Sequence, residues 1–303
     1  MTKFFARIIF SLLYIFSLLP LGVHYIFSDI ARFFIKNLFR YRYSVITTNI
    51  ARSFPEMRYE EVKKLTNEYY RHMCDLIFES IWDLGHSAVA VRKRITVSNE
   101  EVPNSLQEKH GKILFVMGHF GNWEMISGVS VDRSVRAKNS YVSNPVYIVY
   151  KKAKNNLSNE LIKLLRTRKY KKSGSVGGVL ESNEVIRHAL KNKEQKVAYV
   201  LIADQNPTGK NDPVVTFLSQ PTYMLSGPEF LAVKLKMPVV YLSMRKAARG
   251  RYHVDYKEIA EDASTLEKGF VTKRFAQLLE EDIRANKVNW LWSHRRWKRN
   301  ILK

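Results

Sequence analysis

Four short apolar runs limit what this chain can fold into. They are Ile113–Met117 (ILFVM), Val146–Tyr150 (VYIVY), Val197–Ala203 (VAYVLIA) and Val239–Met244 (VVYLSM). Runs of this length, rich in Val, Ile and Tyr and bounded by polar segments, read as strands buried on both faces. Segments with helical spacing lie between them: Leu157–Arg168, Leu180–Lys191 and Pro228–Lys236. Tyr59–Leu84 precedes the first run, and Leu266–Ala285 follows the last. Tyr252–Glu258 reads as a fifth strand at the sheet edge, and Gly174–Gly178 (GSVGG) as a loop. The alternation predicts an α/β fold with a mostly parallel central sheet flanked by helices.

In such sheets, sites lie outside the carboxyl ends of the strands. The residues just past the first three runs are Gly118-His119, Lys151-Lys152 and Asp204-Gln205. If the strands are parallel neighbours, these ends share one rim.

The N-terminus points elsewhere. Ile8–Ser28 is 21 residues without Asp, Glu, Lys or Arg. A helix of about 20 residues spans the hydrocarbon core of a bilayer. Basic residues flank both sides, with Lys3 and Arg7 before and Arg32, Lys36, Arg40 and Arg42 after. That symmetry does not favour translocation of the C-terminal side. Pro20 and Gly22 interrupt the run. The segment is therefore read as a helix embedded in, or re-entering from, the cytoplasmic leaflet. A single span is the rival, and a buried core helix the plain alternative. Residues 1–30 are taken as the membrane-anchoring helix and 31–303 as the catalytic domain.

Charge narrows the partners. The chain carries 50 Lys+Arg against 28 Asp+Glu, a net +22, which calls for an anionic partner such as nucleic acid, anionic lipid or an acidic protein. The lone Cys74 excludes an internal disulfide framework and a Cys-rich zinc site. No histidine pair has close metal-ligand spacing.

The sharpest motif is Gly118-His119-Phe120-Gly121-Asn122-Trp123-Glu124. Across a glycine turn, Glu124 can fold back to accept from His119 Nδ1–H, leaving Nε2 as an oriented general base. A helix beginning near Trp123 would add free backbone N–H groups for a developing oxyanion. No G-x-S-x-G elbow supplies a nucleophile. A base without a protein nucleophile activates a substrate hydroxyl, giving direct acyl transfer. The plain alternative is a histidine in an ordinary turn.

His-x4-Glu after an apolar strand, in a basic chain with an N-terminal anchor, resembles the late acyltransferases of lipid A biosynthesis. These are the lauroyl and myristoyl transferases within the lysophospholipid acyltransferase superfamily. Other segments are similar to that family's motifs: NIARSFPEM, YYRHMCDLIFE, VYKKAKNNLSNELIKLLRTR, ADQNPTG, GPEFLA and WLWSHRRWK. The resemblance implies that His119 is the general base and that Glu124 holds and polarises it. It implies that Arg166 or Arg168 binds acceptor phosphate or stabilises the tetrahedral intermediate, and that Asp204 organises the site. Substrate contacts are expected from Asn122, Lys151, Lys152, His294, Arg295 and Arg296. Lys151-Lys152 departs from the family's Arg-Pro, which puts a bidentate contact there in doubt.

Plainer readings stand beside these. Arg166 and Arg168 suit a helix end as solvated charges. Asp204 suits a turn cap. The C-terminal mixture of Trp290, Trp292, Trp297, Arg295, Arg296, Lys298 and Arg299 suits a surface tail.

The expectation is a membrane-bound enzyme on the cytoplasmic face of the inner membrane. It would move a fatty acyl chain from acyl carrier protein to a hydroxyl of a lipid A precursor, with no metal or other cofactor. Amino-acid lipids and lysophospholipids are the alternative acceptors. A basic membrane-bound nucleic-acid-binding protein is the alternative from another class. It explains the charge but leaves the apolar segment and His119 unused, so nucleic acid is not expected as a partner.

Overall fold

The computed structural model describes residues 2–126, 133–152, 155–173, 177–207 and 212–298, leaving out the side chains of 133, 134, 163 and 167–173. Its centre is a seven-stranded sheet in the order β1-β9-β8-β2-β5-β3-β4. The strands are β1 (Ile95–Ser98), β2 (Lys112–Met117), β3 (Val146–Tyr150), β4 (Gly177–Glu181), β5 (Val197–Ile202), β8 (Val239–Ala248) and β9 (Arg251–Ala260). β4, β3, β5, β2 and β8 run parallel. β9 returns antiparallel to β8, and β1 pairs parallel to β9. A hairpin of β6 (Val214–Phe217) and β7 (Gln220–Tyr223) stands apart.

Among the described residues, the α-helices of five or more residues are α1 (Thr2–Ser17), α2 (Leu21–Phe33), α3 (Tyr43–Ser53), α4 (Tyr59–Gly85), α5 (Ala88–Arg92), α6 (Glu101–His110), α7 (Asn156–Ser173), α8 (Val185–Lys191), α9 (Gly227–Leu235) and α10 (Phe270–Ala285). The α/β sheet thus has the expected architecture, with local corrections. The Tyr252–Glu258 run lies inside β9, which is internal; the edge strand beside it is β1, whose four residues give too short a pattern to read. The expected Gly174–Gly178 loop is in part strand, its residues 174–176 lying outside the described residues. Gly177 starts β4 with φ +141°, and a Cβ there would stand 2.4 Å from Val146 O. Only glycine lets β3 approach that closely.

Side chains alternate across the sheet, as strand geometry requires. Leu114 and Val116 of β2 enter one core with Tyr199, Phe275 and Leu279. Ile113, Phe115 and Met117 enter the other with Val200 and Leu242. α4 serves both cores, through Leu65 and Tyr69 on one side and Trp82 on the other. Its N-terminus is closed by Glu61, whose Oε2 accepts the Arg58 backbone N–H at 2.7 Å. Capping contacts of this kind are worth about 1 kcal/mol.

The apolar N-terminal run is two helices, not one. Pro20 forces its predecessor out of helical geometry, and the helical path bends by 117° between Thr2–Ser17 and Leu21–Leu38. Among the described residues no single helix is long and apolar enough to cross a membrane, although this bent pair passes together on length and composition. A π-helical turn, Phe34–Leu38, prolongs α2. The β8–β9 turn clasps α2: Arg249 lies 4.1 Å over the Tyr25 ring and bonds Asp29 and Asp75 at 3.1 Å and 2.7 Å. Ser28 donates to Asp75 at 2.8 Å.

Candidate active site

β2 and β5 are parallel neighbours in register, with Met117 opposite Ile202. Two residues beyond each lie His119 and Asp204. The register therefore brings together two side chains 85 residues apart in sequence. Asp204, 3% exposed, accepts the His119 Nδ1–H at 2.6 Å on Oδ1. Its Oδ2 accepts the His119 backbone N–H at 2.9 Å and the Trp290 indole N–H at 2.8 Å. Burial by itself raises the pKa of Asp204. The electrostatic pairing with His119 and these three donors outweigh burial and hold it at about 2. The carboxylate fixes the imidazole as the Nδ1–H tautomer, so Nε2 is an acceptor, and Gln205 Nε2 donates to it at 3.2 Å.

This corrects the expected His119–Glu124 contact, because Asp204 occupies the Nδ1 position. Gly121, with φ +64°, turns the chain away; a Cβ there would sit 1.9 Å from Met244 O. Trp123–Met125 then forms one 3-10 turn, and Glu124 meets α7 instead. Arg166 Nη2 donates to Glu124 Oε1 at 2.5 Å and Arg166 Nε to Oε2 at 3.2 Å. The guanidinium also lies 5.7 Å over the Tyr150 ring. The bidentate fork fixes a cation beside the histidine turn.

The C-terminal segment grips the same turn. Asn289 O accepts the Gly121 N–H at 3.0 Å, His119 O accepts the Leu291 N–H at 3.1 Å, and Phe120 bridges Trp290. Trp290 and Trp292 are fully buried, so they are no surface tail. The Trp290 indole instead helps to orient Asp204.

Other expected site residues are redistributed. The Arg168 side chain and Arg299 lie outside the described residues. Lys151 and Lys152 are exposed just past β3, and Arg295 is exposed on the C-terminal segment. His294 Nε2 accepts the Asn206 backbone N–H at 3.3 Å, which braces the Asp204 loop, and burial lowers its pKa to about 4. Two expected substrate contacts are corrected. Asn122 is buried, and its amide donates to Glu79 Oε2 at 2.8 Å. Arg296 is 0% exposed and donates to Thr222 Oγ1 at 2.9 Å and to Tyr223 O, which pins the β6–β7 hairpin. Its burial lowers its pKa to about 10.

An apolar groove of about 500 Å³ runs between α1, α4 and α7. Leu13, Leu76, Ile81, Ile162 and Leu165 line it, with Ser80 and Asp83 on the wall and Glu124 and Arg166 at one end. Trp123 lines it too and packs edge-on against His119, ring centres 5.0 Å apart. The volume falls in the range of ligand pockets, about 300–1,000 Å³. Among the described residues no group of three or more His, Cys, Asp or Glu is placed to hold a metal ion.

The family model of bacterial lipid A biosynthesis acyltransferases matches residues 2–299. The chain belongs to that family. No curated protein matches it at the threshold for relatedness. Membership makes this protein an acyltransferase acting in lipid A biosynthesis.

His72 of this acyltransferase is fully buried, with Nε2 3.3 Å from Asn289 O, the carbonyl that holds Gly121. Burial lowers its pKa from 6.5 to about 3. The unfolded chain therefore takes up a proton near pH 6.5 and the folded chain only near pH 3. The contribution of His72 to stability is full above pH 6.5 and is lost progressively as pH falls through that window. Thermal melts are expected to show a falling midpoint from pH 7 to pH 4, with a shallower slope in His72→Gln. An unchanged slope in the variant would exclude His72 as the cause.

Proposed function

We propose that this acyltransferase moves a fatty acyl chain from acyl carrier protein directly to a hydroxyl of a lipid A precursor, with His119 as general base. The observation that carries the reading is the His119–Asp204 pair, its Nε2 an acceptor met by the Gln205 amide, beside an apolar groove that ends in Glu124–Arg166. The acceptor oxygen attacks the thioester carbonyl while its proton passes to His119 Nε2. Asp204 stabilises the imidazolium, and Arg166 faces the negative charge of the tetrahedral intermediate. Collapse breaks the C–S bond, and the thiolate takes the proton back from His119. Cys74 offers no covalent route: it is buried, and burial pushes its thiol up to about 11.

The groove holds the acyl chain. Lys151, Lys152 and Arg295 present charge to the precursor's phosphates or to the acidic carrier. The bent helix pair lies in the cytoplasmic leaflet of the inner membrane. Phe4, Leu12, Ile15, Ile26, Phe33 and Phe39 are exposed on it and its extension, beside Arg32, Lys36, Arg40 and Arg42.

The test is transfer of a labelled acyl chain from acyl carrier protein to a lipid A precursor by purified, detergent-solubilised protein. Absence of transfer overturns the reading. The same assay reads the groove. Ile162 lies four residues before Arg166 on the same face of α7, about 6 Å along the axis. Ile162→Trp is expected to shift preference toward shorter chains, seen as lighter products by mass spectrometry. An unshifted preference removes the groove from the acyl site.

A further inference from the structure

Beneath the histidine turn lies a carboxylate that the proposed reaction does not use. Glu79, on α4, is 1% exposed. Its Oε1 accepts from Tyr25 OH at 2.9 Å. Its Oε2 accepts from Asn122 Nδ2 at 2.8 Å and from Tyr252 OH at 2.5 Å. The three donors belong to three separate elements: α2, the histidine turn and β9. Burial raises its pKa, with the three donors and Lys246 acting against burial.

A buried carboxylate is costly, and apolar side chains fill space at lower cost. What the carboxylate supplies is two oxygens that accept from three donors at once. One donor, Asn122, sits between the reacting groups. Asn122 is 1% exposed, and its carbonyl accepts the Met125 N–H at 3.0 Å, closing the turn that carries Glu124. His119 lies three residues before Asn122, and Glu124 two residues after.

We propose that Glu79 is a positioning residue. By holding Asn122 it sets the placement of Glu124–Arg166 relative to His119, and through Tyr25 it ties that placement to the apolar helix α2. The inference rests on the reading of His119 as base. It differs from a packing role because its effect belongs on the chemical step. Glutamine at position 79 has one acceptor oxygen for three donors, and its NH2 must face one of them.

The test measures kcat and KM in the acyl-transfer assay for Glu79→Gln, Asn122→Ala and the double variant. Each single variant is expected to lose about tenfold in kcat, because small misplacements are costly in rate. KM should stay within about twofold if only the reacting geometry changes. The double variant should be no slower than the slower single, because both break one link. Wild-type kcat in both singles, losses that multiply, or a loss carried by KM each overturn the proposal. If a single variant does not fold, Tyr25→Phe and Tyr252→Phe each delete one hydroxyl and carry the same test. Lower kcat at unchanged KM supports it, and unchanged kcat overturns it. His119→Ala separates the two levels. Activity retained there removes the reading of the site itself. Activity lost there, with wild-type kcat in Glu79→Gln, removes only the role of Glu79.

Discussion

Replacing His119 by alanine is expected to slow acyl transfer by about a thousandfold, within the range for loss of a positioned general base. The fold should survive, because the buried partner keeps company. Asp204 Oδ2 still accepts the backbone N–H of residue 119 and the Trp290 indole. Only Oδ1 loses its donor. Turnover at saturating donor and acceptor, read beside circular dichroism, checks both parts. Wild-type turnover in a folded His119→Ala would sink the mechanism.

Asp204→Asn is the more discriminating change, because it alters protons and little else. Two donors, the His119 backbone N–H and the Trp290 indole, converge where Oδ2 now sits. The amide oxygen must take that place, which turns the NH2 toward His119 Nδ1. An NH2 there repels Nδ1–H and selects the Nε2–H tautomer, which cannot accept a proton at Nε2. It also removes the charge that steadies the imidazolium. About a thousandfold loss in kcat is expected, in the same direction as the roughly ten-thousandfold loss for the equivalent exchange in acyl-transfer triads. Nitrogen NMR of the His119 ring should show the tautomer exchanged. A normal rate with the original tautomer would remove Asp204 from the chemistry.

Much of the sheet is legible in sequence because its central strands are buried on both faces and read as continuous apolar runs. β4 escapes because its first two residues are glycines, whose role is close approach to β3. β1 and the β6–β7 hairpin escape because four residues give too little pattern. His119 and Asp204 are legible separately, each just past an apolar run. Their bond is not, because it depends on which strands are neighbours and in what register. Glu124 looked like the partner because it is local; the observed partner comes from a distant strand. Arg296 shows the reverse difficulty. A cation among tryptophans and other cations reads as surface, yet Thr222 and Tyr223 give it a buried berth.

The clasp on α2 bears on how the N-terminal helices can be exchanged. Tyr25 bonds Glu79, Ser28 bonds Asp75, and Asp29 bonds Arg249. A glycine is needed at position 250, where a Cβ would stand 2.2 Å from the Tyr25 hydroxyl. A generic hydrophobic leader grafted in place of this segment would restore greasiness but none of these bonds. It would leave Asp75 and Glu79 each short of a donor. The segment is thus not a detachable tether: one face of α2 is fitted to the body by specific bonds, and chimeras must carry α2 with the body it fits.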